Sequence, residues 1–434
     1  MSRILVDSGI EWIGKYPEDW DLLPLRRVVN NINEKNNPIK FTNILSLTNT
    51  LGVLPYEEKG SQGNISKEDI TQYKIAYKDT VIINSMNLKI GSVGYSKYDG
   101  CVSPVYYVLK SNDKSDMNFI NYLFQSNFQK YLGKYGKGIL EIREKISMYD
   151  VLHSYIPIPS VKEQKKIADY LDEQCLKINE IIKDNNKEIE LLEEYKMSII
   201  ENECYKCSID YTLSLSRNCE LITNDWTIAK LKEIVNYQGG YAYNSAKFSV
   251  NGDNQVLRLG NVKNDNLLLT ANPVFITKEY AEQSPNCKVI ENDILFTMTG
   301  TKGKKDYFYT TIATKNDEEK NMYINQRVGI FRKKENVKIN MKYYNYLFKT
   351  NKIRDYIFLS ETGTANQGNL GIDSLNEIIV PVPPLSEQNR IVNFLDEIIT
   401  GINKVIEYRK QIIEKLEEYK KSLIYECVTG KREV

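Results

Sequence analysis

Carboxylates are plentiful, but cysteine and histidine, the usual zinc ligands and nucleophilic or proton-relay groups, are few and thinly spread. Cys204, Cys207 and Cys219 contain one Cys-x-x-Cys, but a structural zinc site takes four ligands and no clear fourth is present. The single histidine, His153, has no second imidazole to form a metal pair or a relay. It stands just before the apolar "SYIPIP" and reads as a packing or surface residue. The seven cysteines are odd in number and scattered along the chain, which suits reduced thiols better than a disulfide framework.

Nucleotide and methyl-transfer chemistry is equally thin. No Gly-x-x-x-x-Gly-Lys-Ser/Thr occurs, and "TGTKGKKD" at Thr299 has the wrong spacing to cradle phosphates. A DNA methyltransferase needs a glycine-rich cofactor loop and an Asn-Pro-Pro-aromatic or Pro-Cys element. "PVPPL" at Pro381 lacks the Asn and the aromatic. No acidic pair with a lysine sits on a convincing strand as a metal nuclease would require. No catalytic, metal-binding or cofactor-binding residue is therefore assigned.

What the sequence does carry is basic and amide side chains interleaved with Tyr and Gly: "SMNLKIGSVGY", "KYGKGILEIREK", "NYQGGYAYNSAKF", "TGTKGKKDYFY" and "TGTANQGNLG". Lys and Arg neutralise phosphates, and Asn, Gln and Arg pair with base edges. Ordinary soluble turns have the same composition. The net charge of +1 over 434 residues argues against a uniformly basic binder. Its distribution is uneven. Residues 161–203 hold 7 Lys+Arg against 12 Asp+Glu and residues 385–427 hold 7 against 8, a total of −6, so about +7 remains on the rest. Acidic segments beside basic ones suit one surface for protein and others for nucleic acid.

The elements that must position these side chains are duplicated. "PIPSVKEQKKIADYLDE" from Pro157 and "PVPPLSEQNRIVNFLDE" from Pro381 lie 224 positions apart, too far for a solenoid repeat. Each opens a long helical pattern without proline, the only internal glycine being Gly401. Ile167, Leu171, Ile178, Ile182, Ile189, Leu192 and Ile199 recur at spacings of three, four and seven, and Ile391, Leu395, Ile402, Ile406, Ile413, Leu416 and Leu423 repeat the pattern. That is a coiled-coil seam. Each helix of about 40 residues would be ~60 Å long, a rod for spacing or docking. Ser160 with Glu163 fits a capping box, and Pro384 or Ser386 starts the second helix.

Between the rods, short apolar runs such as "TVIIN", "PVYYVLK" and "DILFTMTG" are bounded by Asn, Gly and Asp, which predicts strand-rich α+β domains. "YKDTVIINS" parallels "IENDILFTM", "FINYLFQSN" parallels "YYNYLFKTN", and the lead-in at Trp20 parallels that at Trp226. The expected layout is a recognition domain over 1–155, a helical spacer over 156–205, a second recognition domain over 206–378, and a second spacer with a tail over 379–434. No apolar run nears the roughly 18 residues of a membrane span, and the opening lacks the order of a secretory signal. A cytoplasmic protein with no membrane association is expected.

The doubled Pro-x-Pro-x-x-x-Glu-Gln box, its "I-x-x-x-L/F-L-D-E" continuation, the opening "SGIEWIGKYPEDW" and the closing "SLIYECVTGKREV" resemble the specificity subunit of type I restriction-modification enzymes over essentially the whole chain. The resemblance implies two target recognition domains separated by two long antiparallel coiled-coil helices, with a pseudo-two-fold repeat. Each domain would read one half of a split double-stranded DNA target, and the helices would set the gap. It further implies two methyltransferase subunits that bind S-adenosylmethionine and methylate adenine, and restriction subunits that use ATP and Mg. This chain would supply address without catalysis.

By the same resemblance, Pro157, Pro159, Glu163 and Gln164, with Pro381, Pro383, Glu387 and Gln388, match the family's boxes for helix start and subunit docking. DNA contact falls to Tyr243, Lys247, Arg258, Asn366 and Gln367 in the second reader and to Lys89, Lys137 and Arg143 in the first. The first reader lacks the "GGYA…F" element that follows Val235. Two rival readings are a reader for a type II-like methylase-nuclease, separable by a neighbouring coding sequence, and a coiled-coil protein adaptor. The basic remainder counts against the adaptor.

Overall fold

"TVIIN" forms a strand with all five residues buried, because it lies inside a sheet covered on both faces. The computed structural model describes residues 3–48, 52–59, 69–86, 88, 92–136, 145–205, 225–364 and 366–434. The chain packs as two units, Met1–Lys187 with Arg409–Val434, and Glu188–Tyr408. The helical segments drawn from sequence as separate pieces, 156–205 and 379–434, are thus each divided between the units.

In the first unit, β1 (Asp21–Pro24) follows the buried Trp20. β2 (Val29–Ile32), β3 (Thr80–Asn84), β4 (Val93–Ser96) and β5 (Tyr106–Ser111) make an antiparallel sheet of order β2-β5-β3-β4. Val81 and Ile83 join the core beneath the helices, while Ile82 joins a smaller core with Leu45, Leu47 and Val53, the alternation a period of two dictates. Helix α1 (Met117–Leu123) is capped by Asp116, whose carboxylate accepts from Phe119 N at 2.9 Å. β6 (Tyr155–Ile158) pairs antiparallel with β1 and delivers the chain to α2 (Val161–Cys204).

The second unit repeats this order. β7 (Thr227–Lys230) follows Trp226. β8 (Val235–Gly239), β9 (Ile294–Thr297), β10 (Thr310–Ile312) and β11 (Val328–Lys333) give the order β8-β11-β9-β10. Asn340 caps α3 (Met341–Leu347), its side chain accepting from Lys342 N. β12 (Thr362–Thr364) and β13 (Gln367–Asn369) form a hairpin. β14 (Ile379–Val382) pairs with β7 and leads into α4 (Leu385–Val428). Asp79 before β3 and Asn292 before β9 both have positive φ, 62° and 67°, a conformation that Asp and Asn tolerate.

Both long helices have 44 residues. Within the first unit Ile167, Leu171 and Ile178 of α2 share a core with Leu423, Ile424, Cys427 and Val428 of α4. Within the second, Ile200 and Cys204 pack with Ile391, Leu395 and Ile399. In each unit the start of one helix lies against the end of the other, so the pair is antiparallel. Lys420 Nζ donates to Asn179 Oδ1 at 2.9 Å in the first unit, and the equivalent Lys196 donates to Asn403 at 3.3 Å in the second. Asn185 and Arg409, the same position of the two copies, meet in the seam through Arg409 Nη1 and Asn185 Oδ1, 3.3 Å apart, a polar contact of the kind that fixes register. Ile182, Ile189, Leu192, Ile413 and Leu416 are only half-buried.

The five described cysteines are buried free thiols, and Cys207 and Cys219 lie outside the described residues. Burial pushes the Cys101 thiol up to about 11 and that of Cys427 up to about 12, and raises Cys204 further, which suits packing and not nucleophilic chemistry. His153 is exposed, stacks on Tyr149 at 3.8 Å and bonds Tyr149 O through Nδ1. Among the described residues, no helix is long and apolar enough to cross a membrane.

Candidate nucleic-acid interface

Each candidate reader is fixed to its helix by the Glu-Gln box. Gln164 is 0% exposed; its Nε2 donates to Pro159 O at 2.9 Å and its Oε1 accepts from Asp116 N at 2.8 Å. Gln388, also 0% exposed, donates to Pro383 O at 2.8 Å and accepts from Asn340 N at 2.8 Å. One amide thereby ties the first turn of the long helix to the cap of the reader's short helix.

This corrects the expectation of subunit docking. Pro157, Pro159, Gln164, Pro381, Pro383 and Gln388 are all buried and offer no surface to another chain; their part is the helix start. Glu163 and Glu387 retain partial exposure. Glu163 N donates to Ser160 Oγ at 3.3 Å, while its carboxylate pairs with Arg3 at 2.7 Å instead of closing the capping box. Glu387 pairs with Arg390 at 2.8 Å.

A second tie is also duplicated. Tyr122 donates to Asp172 at 2.6 Å and Tyr346 to Asp396 at 2.7 Å. Burial first, then the hydrogen-bonded carboxylate, raises both phenols far above their usual range, so each remains a protonated donor. Asn118 in one unit and Lys342 in the other take the remaining carboxylate oxygen.

With the base of each reader fixed, its loops present the polar side chains. In the second reader Lys247 is exposed, its Nζ 4.5 Å from the Tyr280 ring centroid. Asn366 is exposed at the tip of the β12–β13 hairpin, and Gln367 is half-buried behind it, with Nε2 3.4 Å from Asn369 Oδ1. Arg258 is half-buried and spends one guanidinium edge on Asn272 O at 2.5 Å. Tyr243 does not reach the surface. It is 7% exposed, pairs with Ser284 Oγ at 2.6 Å and packs on Tyr241 and Tyr280. The expected contact is therefore corrected to a packing residue, with Tyr241 the exposed ring of that cluster. Lys302 donates to Gly363 O at 3.0 Å, and Glu361 accepts from Gly303 N and Tyr307 OH at 2.9 and 2.7 Å, so loop 301–306 is bonded to the hairpin and to the residue that leads into it.

Beside the hairpin lies a tight turn, Asn325–Val328, closed by Val328 N to Asn325 O at 2.8 Å. Met298 links the two, accepting from Leu370 N at 3.1 Å and donating to Arg327 O at 3.0 Å. A Cβ on Gly240 would lie 2.1 Å from Asn325 O, so only glycine admits the turn at this approach. Gln326 and Arg327 were not picked out from sequence; the available signal was a three-residue polar break, "NQR", between "MYI" and "VGIF". In the first reader, Lys89, Lys137 and Arg143 lie outside the described residues.

Comparison with known proteins decides the family. A model described as the type I restriction modification DNA specificity domain matches residues 17–191 and again 223–418. The chain belongs to this specificity-subunit family. Two relatives from Methanocaldococcus jannaschii are similar over their length. The type I restriction enzyme MjaVIII specificity subunit is 25% identical, with 96% of this chain and 94% of the relative covered. The putative MjaX specificity subunit is 24% identical, with 96% and 95% covered. Among solved structures, a chain from a study of complex assembly and conformational transition of the type I R-M system superposes with a TM-score of 0.71 at 14% identity, covering 96% of this chain and all of the other. The HsdS subunit from Thermoanaerobacter tengcongensis gives 0.52 at 15% identity, covering 98% and 100%. As a family member this chain is a non-catalytic DNA-recognition subunit of a type I restriction-modification system.

Proposed function

We propose that the two units read separate halves of a bipartite double-stranded DNA target, and that α2 and α4 set the unspecified gap between them and dock two methyltransferase subunits. The observation that carries this reading is duplication of the frame with divergence of the tips. Sheet order, helix caps, Gln164/Gln388 and Tyr122/Tyr346 recur in both units, while the loops that leave the sheets differ in sequence. Two readers of different bases need that combination.

Docking falls to exposed apolar side chains on the helices instead of the buried boxes. Leu176, Ile181, Leu191 and Tyr195 of α2, and Phe394, Val405, Tyr408 and Tyr419 of α4, are exposed, and apolar groups of this number on otherwise charged helices suit a protein partner. S-adenosylmethionine belongs to the methyltransferase subunits and ATP with Mg to the restriction subunits. Co-expression with a methyltransferase subunit in a host without DNA methylation, followed by mapping of N6-methyladenine, tests the reading. A split motif whose halves change independently when one recognition domain is exchanged supports it; a continuous motif refutes it.

A further inference from the structure

We infer that a tight turn recurring in both units is a specificity-determining element, with Gln326 and Arg327 as base-reading residues in one unit and Pro104 and Val105 at the matching positions in the other. The inference rests on the reading of both units as DNA readers. The match is set by register. β5 begins at Tyr106 opposite Asn84, and β11 begins at Val328 opposite Thr297. Tyr106 N donates to Ser103 O at 3.0 Å, as Val328 N donates to Asn325 O at 2.8 Å. The carbonyl before the strand is held in both: Val105 O by Ser85 Oγ at 3.0 Å, and Arg327 O by Met298 N at 3.0 Å. Ser and Asn suit the first turn position and Pro104 the second. The same backbone device therefore presents two exposed side chains from each sheet.

Their chemistry differs. Arg327 and Gln326 are adjacent and exposed, and among the described residues no side-chain hydrogen bond or ion pair is made by either. Arginine pairs two-pronged with guanine O6 and N7, and glutamine with adenine N6 and N7. Met298 joins the turn to the end of the hairpin that carries Asn366, and Lys302 Nζ donates to Gly363 O of the same hairpin. In the other unit Val105 is 45% exposed, and an aliphatic tip with no donor fits the 5-methyl group of thymine. One turn would thus be set for hydrogen-bonded purine edges and the other for a thymine methyl.

The test uses the complex assembled with its methyltransferase subunits. Arg327→Ala, Arg327→Lys, Gln326→Ala and the double change Pro104→Gln with Val105→Arg are each compared with wild type by mapping N6-methyladenine in an unmethylated host. Arg327→Ala is expected to make one position of one half-site degenerate, with discrimination there falling roughly 10- to 100-fold, and to leave the other half-site unchanged. Arg327→Lys, without the planar fork, is expected to do the same. Gln326→Ala alters a neighbouring position, and the Pro104/Val105 change alters only the opposite half-site. An unchanged split motif in the Arg327 and Gln326 variants overturns the turn's role while leaving the two-reader function standing. A uniform fall in methylation at every site that Arg327→Lys restores makes Arg327 a phosphate contact and also overturns it. A wild-type complex that yields no split motif removes the underlying reading instead.

Discussion

Replacing Gln388 by leucine isolates what the duplicated glutamine does. The substitution keeps side-chain size but removes one donor and one acceptor at a site with no solvent. Pro383 O then loses the amide at 2.8 Å and Asn340 N loses its acceptor at 2.8 Å. Each stranded backbone group costs about 1–3 kcal/mol, and burying a leucine in place of an amide returns roughly 1–2 kcal/mol. The net local loss is about 0–5 kcal/mol, about 2.5 kcal/mol at the centre of these ranges. Amide hydrogen exchange of the assembled complex reads it directly: at 1.4 kcal/mol per factor of ten, the central value makes peptides spanning 338–347 exchange roughly 60-fold faster. Peptides spanning 114–123, held by Gln164, should be unaffected, and Gln164→Leu should give the reverse pattern. Exchange within twofold of wild type over 338–347, or equal acceleration in both segments, would falsify the assignment of these glutamines as separate joints.

Other consequences are open to measurement. Gly240→Ala places a methyl against Asn325 O and should cost about 1–3 kcal/mol by urea denaturation; an unchanged midpoint contradicts the close approach. Glu377 bonds Lys230 and Lys232, and these partners lower its carboxyl to about 2. A depressed carboxylate stabilises the fold above its ordinary value of 4.5 and loses that contribution as pH falls from there toward 2, so Glu377→Gln should flatten this part of the acid-unfolding curve. Deleting 424–434 removes Ile424, Cys427 and Val428 from the first unit's core, together with the Tyr425 bond to Ile13 O. Exchange should rise in the first unit and stay at wild-type rates over 225–400; equal loosening in both units contradicts the division of the chain.

The long helices were legible because a seven-residue apolar pattern over about 40 residues admits few other structures. Their observed limits, Val161–Cys204 and Leu385–Val428, fall within one residue of those read from the repeat. The constant offset of 224 also carried Tyr122/Tyr346 and Asp172/Asp396, yet their bond appears only when the short helix folds against the long one. Repetition shows that a residue matters to both copies and is silent about which way it faces. The family resemblance assigns Gln164 and Gln388 to helix start and subunit docking; both are buried, so the helix start stands and the docking surface does not. Tyr243 failed for a related reason: three tyrosines packed together leave only one ring exposed, and spacing does not say which. Gln326 and Arg327 escaped notice because a turn of four residues has no periodicity to detect.

The first unit draws on both extremes of the chain, whereas the second is one continuous stretch, Glu188–Tyr408. During synthesis, every residue of the second unit leaves the ribosome before the first unit receives Leu423, Ile424, Cys427 and Val428. Domains generally fold as units while the chain emerges, at ≈ 5–20 residues per second. The part made first would therefore be the last to complete its core, which closes only when the end of the last helix has been made.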